Sequence, residues 1–219
     1  MDAYRMFKAA ALEYAARGVT TAQSGWASKK IATGLSVFSR LGVVPQRLVV
    51  FPAESEFGEA LLNGDYEPGD YRTDRMVMGA VKLVADGSIQ GFTGYLSQPY
   101  HTPYHGDATY RGYPAIPRDK LFAQVSALHK AGYQLAIHGN GDAAIEDILD
   151  AFEAAQQEHP VADPRMILVH AQMAREDQVA RMKALGVTPS FFSAHTWYWG
   201  DRHRDIFIGP ERAALISPA

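Results

Sequence analysis

Two histidines of this chain each stand at the end of an apolar segment that is typical of a buried strand. His138 closes the segment "QLAIH", directly before a Gly-Asn-Gly-Asp turn, and His170 closes "MILVH". They are 32 residues apart, about one helix plus one strand, which predicts neighbouring parallel strands. Neighbouring strands lie about 4.8 Å apart, so the two imidazoles could share one divalent metal ion. The alternative is that each histidine is a buried residue that bonds a backbone carbonyl.

A lysine is placed in a similar way, because Lys82 lies within the apolar segment "VKLVADGS". A protonated amine has only donors and cannot bind a cation, so the lysine by itself does not indicate a metal ligand. An ion pair with Asp86 of the same segment is a structural explanation. A desolvated lysine can also attack a carbonyl group to form a Schiff base, which would make Lys82 the nucleophile of a different kind of enzyme.

Helices and apolar strands alternate along the chain. The pattern predicts six strands, at residues 19–23, 47–51, 80–85, 134–138, 166–170 and 187–192. Near-continuous apolar strands separated by helices indicate an α/β fold with a parallel sheet covered by helices. A doubly wound sheet usually has a Gly-rich turn after an early strand, and this chain has none, whereas polar residues follow several strands. We therefore predict a (β/α)8 TIM barrel, present as a partial barrel of about six βα units.

Residues beyond the strand ends are candidates for substrate contact. Residues 87–116 form a long segment rich in Tyr, His and Gly, for which we predict a lid-like loop with Tyr100 and His101 against the substrate. His195 and Trp197 follow the last predicted strand and should face the mouth of the pocket, with the indole in an apolar wall. Packing of this aromatic loop on its neighbours is the alternative for Trp197.

Two aspartates lie close in sequence to the candidate ligands. Asp142 could orient His138 by accepting a hydrogen bond from its ring, or it could be the N-cap of a helix that starts at Ala143. Asp86 could shape the floor of the site, or it could belong to a turn with Gly87.

The composition limits the partners. A formal net charge of −3 gives no electrostatic attraction to nucleic acid or anionic membranes. No apolar run reaches the roughly 18–20 residues of a membrane span. Because the chain has no cysteine, a metal would need histidine, carboxylate or a modified side chain as ligand. We expect a cytoplasmic protein that binds neither nucleic acid nor a membrane.

Three segments, beginning at Val81, Ile137 and Ile167, together resemble the amidohydrolase superfamily. The resemblance is to its family 3, the branch of hydrolases similar to imidazolonepropionase and to N-substituted formamide deformylase. It implies a (β/α)8 barrel with a small β-domain formed from the chain ends. It also implies metal-dependent hydrolysis of a C–N bond other than a peptide bond, in a small-molecule substrate of the amide type.

The resemblance also implies a ligand set. Lys82 matches the family's lysine, which is often carboxylated, while His138 and His170 match the ligands on the fifth and sixth barrel strands. The expected cofactor is a divalent metal, Zn2+ by preference, with one or two ions in the full-length protein. The family's HxH motif is missing, and its general-base aspartate is expected outside the chain.

These departures predict that residues 1–219 are a single partial-barrel catalytic domain of a longer protein. The first and last barrel strands and the small β-domain would be absent, and the fragment itself would have little activity. Strands 19–23 and 187–192 would then be open edges through which the chain forms homo-oligomers. The competing hypothesis is a non-catalytic, barrel-derived protein that binds or regulates a partner.

Overall fold

The computed structural model describes residues 2–66 and 68–218. The chain divides into two compact units, residues 1–82 and residues 83–219. The single partial-barrel domain stays a prediction from the sequence. The hydrogen bonds between strands form a three-stranded and a four-stranded sheet.

The first unit alternates helices with three short strands. Its sheet has the order β1-β2-β3, and both pairs of strands are parallel. Ser28 caps the second helix by accepting from the amide of Ile31, and Gly64 ends the third in a left-handed conformation. The elements are α1 (Asp2–Ala16), β1 (Thr21–Ala27), α2 (Lys29–Arg40), β2 (Arg47–Pro52), α3 (Glu54–Asn63), a 3-10 turn (Pro68–Tyr71) and β3 (Met76–Met78).

The second unit is built on the sheet β4-β5-β6-β7, in which β5, β6 and β7 are parallel. The boundary between the units falls within β4. The elements are β4 (Val81–Val84), a 3-10 turn (Ile89–Gly91), α4 (Arg118–Lys130), β5 (Leu135–Gly139), α5 (Asp142–Glu158), β6 (Ile167–His170), α6 (Glu176–Leu185), β7 (Thr188–Phe191), α7 (Ala194–Arg202), a π-helical turn (His203–Phe207) and α8 (Gly209–Ala213).

The core of the second unit has two parts. One lies under α4 and α5, where the apolar side of α5 buries Ile145, Ile148 and Phe152. The other is an apolar cluster that joins Tyr100 of segment 87–116 to Phe207. The aromatic side chains of the segment therefore anchor it to the end of the chain.

The six strands predicted from the sequence all occur, with ends that differ by a few residues. The short strand β3 was not predicted, because three residues give no periodicity to detect. No helix within the described residues is both long and apolar enough to cross a membrane.

Candidate metal centre

The ends of β5 and β6 bring two imidazoles together. In the parallel register of these strands, His138 lies opposite Val169 and His170 lies opposite Gly139. The two ring centroids are 4.7 Å apart, and the ring planes are nearly perpendicular at 82°. The expected convergence of His138 and His170 is therefore present.

One nitrogen of the His138 ring is held by its surroundings. Nε2 lies 2.8 Å from the carbonyl oxygen of Gly87 and 3.4 Å from a carboxylate oxygen of Asp86. Two acceptors at this nitrogen require it to carry the proton. The amide nitrogen of Asn140 also lies 3.0 Å from Nε2, but it donates to the same Gly87 carbonyl at 2.8 Å. In the neutral ring, Nδ1 then has the lone pair that a metal ligand needs.

Asp86 organises the backbone around this ring. Its side chain is fully buried and accepts three backbone hydrogen bonds, from Asn140 at 2.9 Å, Gly141 at 2.8 Å and Tyr95 at 2.9 Å. The carboxylate thus joins segment 87–116 to the turn after β5. A side chain at Gly141 would overlap the Tyr95 carbonyl, since a Cβ there would be 1.8 Å from that oxygen. The glycine after Asn140 is needed for this close approach.

The His170 backbone is strained. His170 has φ +74° and Ala171 has φ +48°, two consecutive non-glycine residues in the left-handed region. Each such residue costs about 1–3 kcal/mol and persists only where surrounding contacts enforce it. Strain of this kind is concentrated at functional sites in proteins, which marks the end of β6 as a position of interest.

His195 lies beside this pair. Its ring centroid is 5.9 Å from that of His170 and 4.6 Å from that of Phe192. Burial, and after it the positive charge of a protonated His138, lower the pKa of His195. The neutral imidazole can therefore donate or accept a hydrogen bond near the histidine pair at neutral pH.

Trp197 does not form a wall around the pair. It lies in α7 with 84% of its surface exposed, beside a cavity of about 440 Å3 that is lined by Ser193, Thr196, Trp197, Gly200 and Asp201. The predicted apolar wall is therefore not present at this residue, because the helical turns of α7 direct the indole toward solvent.

Tyr100 and His101 lie in a different environment from the one predicted. Tyr100 is only 4% exposed, and its hydroxyl donates to the Gly94 carbonyl at 3.0 Å. Burial raises the pKa of this phenol above its ordinary range. Tyr100 is therefore a core residue, and its contact with a substrate stays a prediction. His101 is exposed, and its backbone amide donates to the Phe207 carbonyl at 2.8 Å.

Asp142 has other partners than His138. It is the first residue of α5, and the N-cap is Gly141, one position earlier than the sequence indicated. Its carboxylate accepts from the backbone amide of Ser97 at 2.9 Å and from the Ser97 hydroxyl, and it lies 3.4 Å from the Arg175 guanidinium. Asp142 therefore fixes segment 87–116 to the helices.

Lys82 is buried in β4, with 6% of its surface exposed, and belongs to the first unit, in contrast to both histidines. Within the described residues, no group of three or more His, Cys, Asp or Glu side chains could hold a metal ion. Two neighbouring imidazoles suit a divalent cation, but they need a further ligand of another kind. The two imidazoles could therefore supply two of the ligands of a metal ion.

Asn140 was missed in the sequence, although it directly follows β5 as part of the Gly-Asn-Gly-Asp turn. It is 3% exposed, and its side-chain oxygen makes no hydrogen bond within the described residues. The sequence feature that could have identified Asn140 is a polar residue between two glycines, directly after a predicted strand.

Several known proteins are similar to this chain in sequence. A sequence model of the amidohydrolase family, Amidohydro_3, matches residues 2–219. An N-substituted formamide deformylase from Arthrobacter pascens is 30% identical over 130 residues, which cover 58% of this chain and 24% of that protein. YtcJ of Bacillus subtilis, whose name refers to an amidohydrolase, is 31% identical over 121 residues, or 53% of this chain and 21% of YtcJ. The chain thus spans about a quarter or less of the length of these relatives.

A solved structure is similar to this chain in fold. An uncharacterized metal-dependent hydrolase from Pyrococcus furiosus is 24% identical, with a TM-score of 0.76 over 95% of this chain and 41% of that chain. The predicted α/β fold of the TIM-barrel type, present as a partial barrel, is confirmed. On the match to its family model over residues 2–219, the chain belongs to the amidohydrolase family.

Proposed function

We propose that this chain contributes a divalent-metal site to a hydrolase that cleaves a C–N bond other than a peptide bond. The observation that carries the proposal is the pair of perpendicular imidazoles of His138 and His170, 4.7 Å apart at neighbouring strand ends. The membership of the family and the name of the Arthrobacter pascens relative support a small-molecule substrate with an amide or formamide group.

The proposed ligands are His138 through Nδ1 and His170, with Zn2+ as the preferred ion. A carboxylated Lys82 as a further ligand stays an expectation from the family resemblance. Carboxylation joins the neutral amine nitrogen of Lys82 to the carbon of CO2 and releases one proton to solvent. The product is an anionic group with two oxygens, which removes the objection that an ammonium cannot bind a cation. A bound divalent cation would supply Lewis acidity, which acidifies water and polarises a substrate carbonyl.

The protein's own residues hold and surround this site. The Gly87 carbonyl and Asp86 keep the proton of His138 on Nε2, so that the ring presents Nδ1. Asp86 fixes the turn after β5 through backbone amides and thereby fixes the direction of the ring. We propose that neutral His195 contacts the substrate, since it is half-buried beside His170. The general-base aspartate stays an expectation from the family resemblance.

The test is the metal content of the purified chain and its variants after equilibration with Zn2+. We expect the wild-type chain to retain the metal, and His138→Ala and His170→Ala to lose it. Lys82→Ala should weaken retention, and bicarbonate should strengthen it in the wild type only. His105→Asn is a matched control, because it removes an exposed imidazole at a left-handed position that Asn tolerates.

Equal metal retention in the wild type and in both histidine variants would overturn the proposed site. Loss of metal in His105→Asn as well would show that binding is a general property of surface imidazoles.

A further inference from the structure

A buried polar pair lies behind the end of β6. Gln172 and His203 are both fully buried, and the side-chain nitrogen of Gln172 lies 3.0 Å from Nε2 of His203. Within the described residues, the Gln172 side-chain oxygen and Nδ1 of His203 make no hydrogen bond. Buried polar atoms without partners lower stability, so an apolar pair of similar size would stabilise the fold better. The polar pair therefore has a role other than stability.

His203 lies in a turn that is attached to the apolar core. It begins the π-helical turn His203–Phe207, and its carbonyl accepts from the amide of Ile208 at 3.0 Å. Phe207 and Ile208 both belong to the buried apolar cluster of the second unit. Burial, and after it the charge of His195, lower the pKa of His203 to about 4. The ring is therefore neutral at pH 7, and its Nε2 can accept from the Gln172 amide.

Gln172 in turn holds the strained turn that follows β6. The left-handed residues His170 and Ala171 directly precede it. Its carbonyl accepts from the amide of Ser217 at 2.8 Å, and the next amide, that of Met173, donates to the Asn140 carbonyl at 2.9 Å. The Gln172 side chain links this turn to the π-helical turn that begins at His203.

We propose that His203 is a positioning residue, which acts through Gln172 to hold the left-handed turn that presents His170 to His138. The positioning itself stands on the contacts of the metal-free chain. Only the statement that it aligns a metal ligand rests on the proposed function.

The experiment separates the hydrogen bond from the ring. His203→Phe keeps an aromatic ring but removes the acceptor, whereas His203→Gln keeps a polar group near the position of Nε2. Gln172→Leu removes the other partner at similar volume. All three are compared with the wild type as metal-free, isotope-labelled proteins, with folding checked by circular dichroism. The measured quantities are the Cα and Cβ chemical shifts of His170 and Ala171 and the ring Cε1–Hε1 signal of His170.

We expect His203→Phe and Gln172→Leu to shift or broaden these signals and His203→Gln to leave them close to wild type. In a Co2+ titration, His203→Phe should weaken affinity about 10–100-fold, as loss of a group that supports a ligand does, with recovery toward wild type in His203→Gln. If His203→Phe does not fold, Gln172→Leu and His203→Gln decide the question.

Unchanged His170 and Ala171 signals in the folded variants that lack the hydrogen bond would overturn the inference. So would a His203→Gln variant that behaves like His203→Phe. If the signals move as expected while His170→Ala binds Co2+ as tightly as the wild type does, the positioning is supported and the proposed metal site fails.

Discussion

The strand ends of β5 and β6 and the aromatic segment 92–110 are both rich in rings, yet they use them differently. At the strand ends, the imidazoles of His138 and His170 face each other, and surrounding polar groups fix the His138 ring. In the aromatic segment, the rings of Tyr104 and Tyr110 stack at 4.6 Å, and the Tyr110 hydroxyl donates to the Phe92 carbonyl at 2.7 Å. The rings of the segment therefore bind one another.

A ring at the end of a strand is positioned by the backbone of the sheet. A ring in a long loop must first be held by other rings, and those contacts use the surface that a substrate would need. Both regions look alike in composition, so only their placement on the fold distinguishes a candidate site from a core.

The largest loss of stability at the strand ends is expected when the Asp86 carboxylate is removed. Asp86→Ala would leave three backbone amides without their acceptor, and we expect a loss of about 3–5 kcal/mol in the free energy of unfolding. Urea denaturation measures this loss. The matched control is Asp107→Ala, which removes the acceptor of an exposed turn in the aromatic segment. A control variant as destabilised as Asp86→Ala would remove the distinction between the two regions.

Substitutions at two glycines should change the stability by smaller amounts. Gly141→Ala would place a Cβ against the Tyr95 carbonyl, and we expect a destabilisation of about 2–3 kcal/mol together with a displaced turn after β5. Gly200→Ala lies in α7 with open space around the new Cβ, so it should stabilise the chain by about 0.5–1 kcal/mol. Thermal unfolding of both variants tests this. The account of the tight turn is wrong if Gly141→Ala is neutral.

Tyr100→Phe probes the aromatic segment alone. It removes the hydroxyl that donates to Gly94 and should cost about 0.5–1.5 kcal/mol of stability. Metal retention should stay at the wild-type value, because the Tyr100 hydroxyl donates to the Gly94 carbonyl and not to a candidate metal ligand. Loss of metal in a folded Tyr100→Phe variant would show that the aromatic segment contributes to the site after all.

The smallest expected effect on stability concerns the open edge of the first sheet. Among the described strands β1 pairs only with β2, and Trp26 at its end is 46% exposed. We propose that the chain self-associates through this edge, which Trp26→Lys should reduce while changing stability by less than about 0.5 kcal/mol. Sedimentation velocity over a range of concentrations measures the association. A wild-type chain that stays monomeric throughout would contradict the proposal.

Much of the fold could be predicted because strands and helices carry local signals. The apolar runs that end at His138 and His170 gave both the strands and their spacing, and the (β/α) alternation gave the parallel sheet. The contacts of single side chains could not be predicted. Asp142 resembles a helix cap in sequence, and only the tertiary structure brings it to Ser97 and Arg175.

The backbone conformation of the site could not be predicted from the sequence either. A positive φ at His170 could not be predicted, since only a few per cent of non-glycine residues adopt that region, and alanine at the next position does not favour it. The same holds for His203, which lies 31 positions from Gln172 and has no sequence pattern that connects the two residues.

Anomalous diffraction from crystals of the Zn2+-loaded chain shows whether His138 and His170 bind one ion. We predict a single strong anomalous peak about 2.0–2.1 Å from Nδ1 of His138 and from a ring nitrogen of His170. A peak on other residues, or well-ordered imidazoles of this pair with no peak between them, would contradict the account.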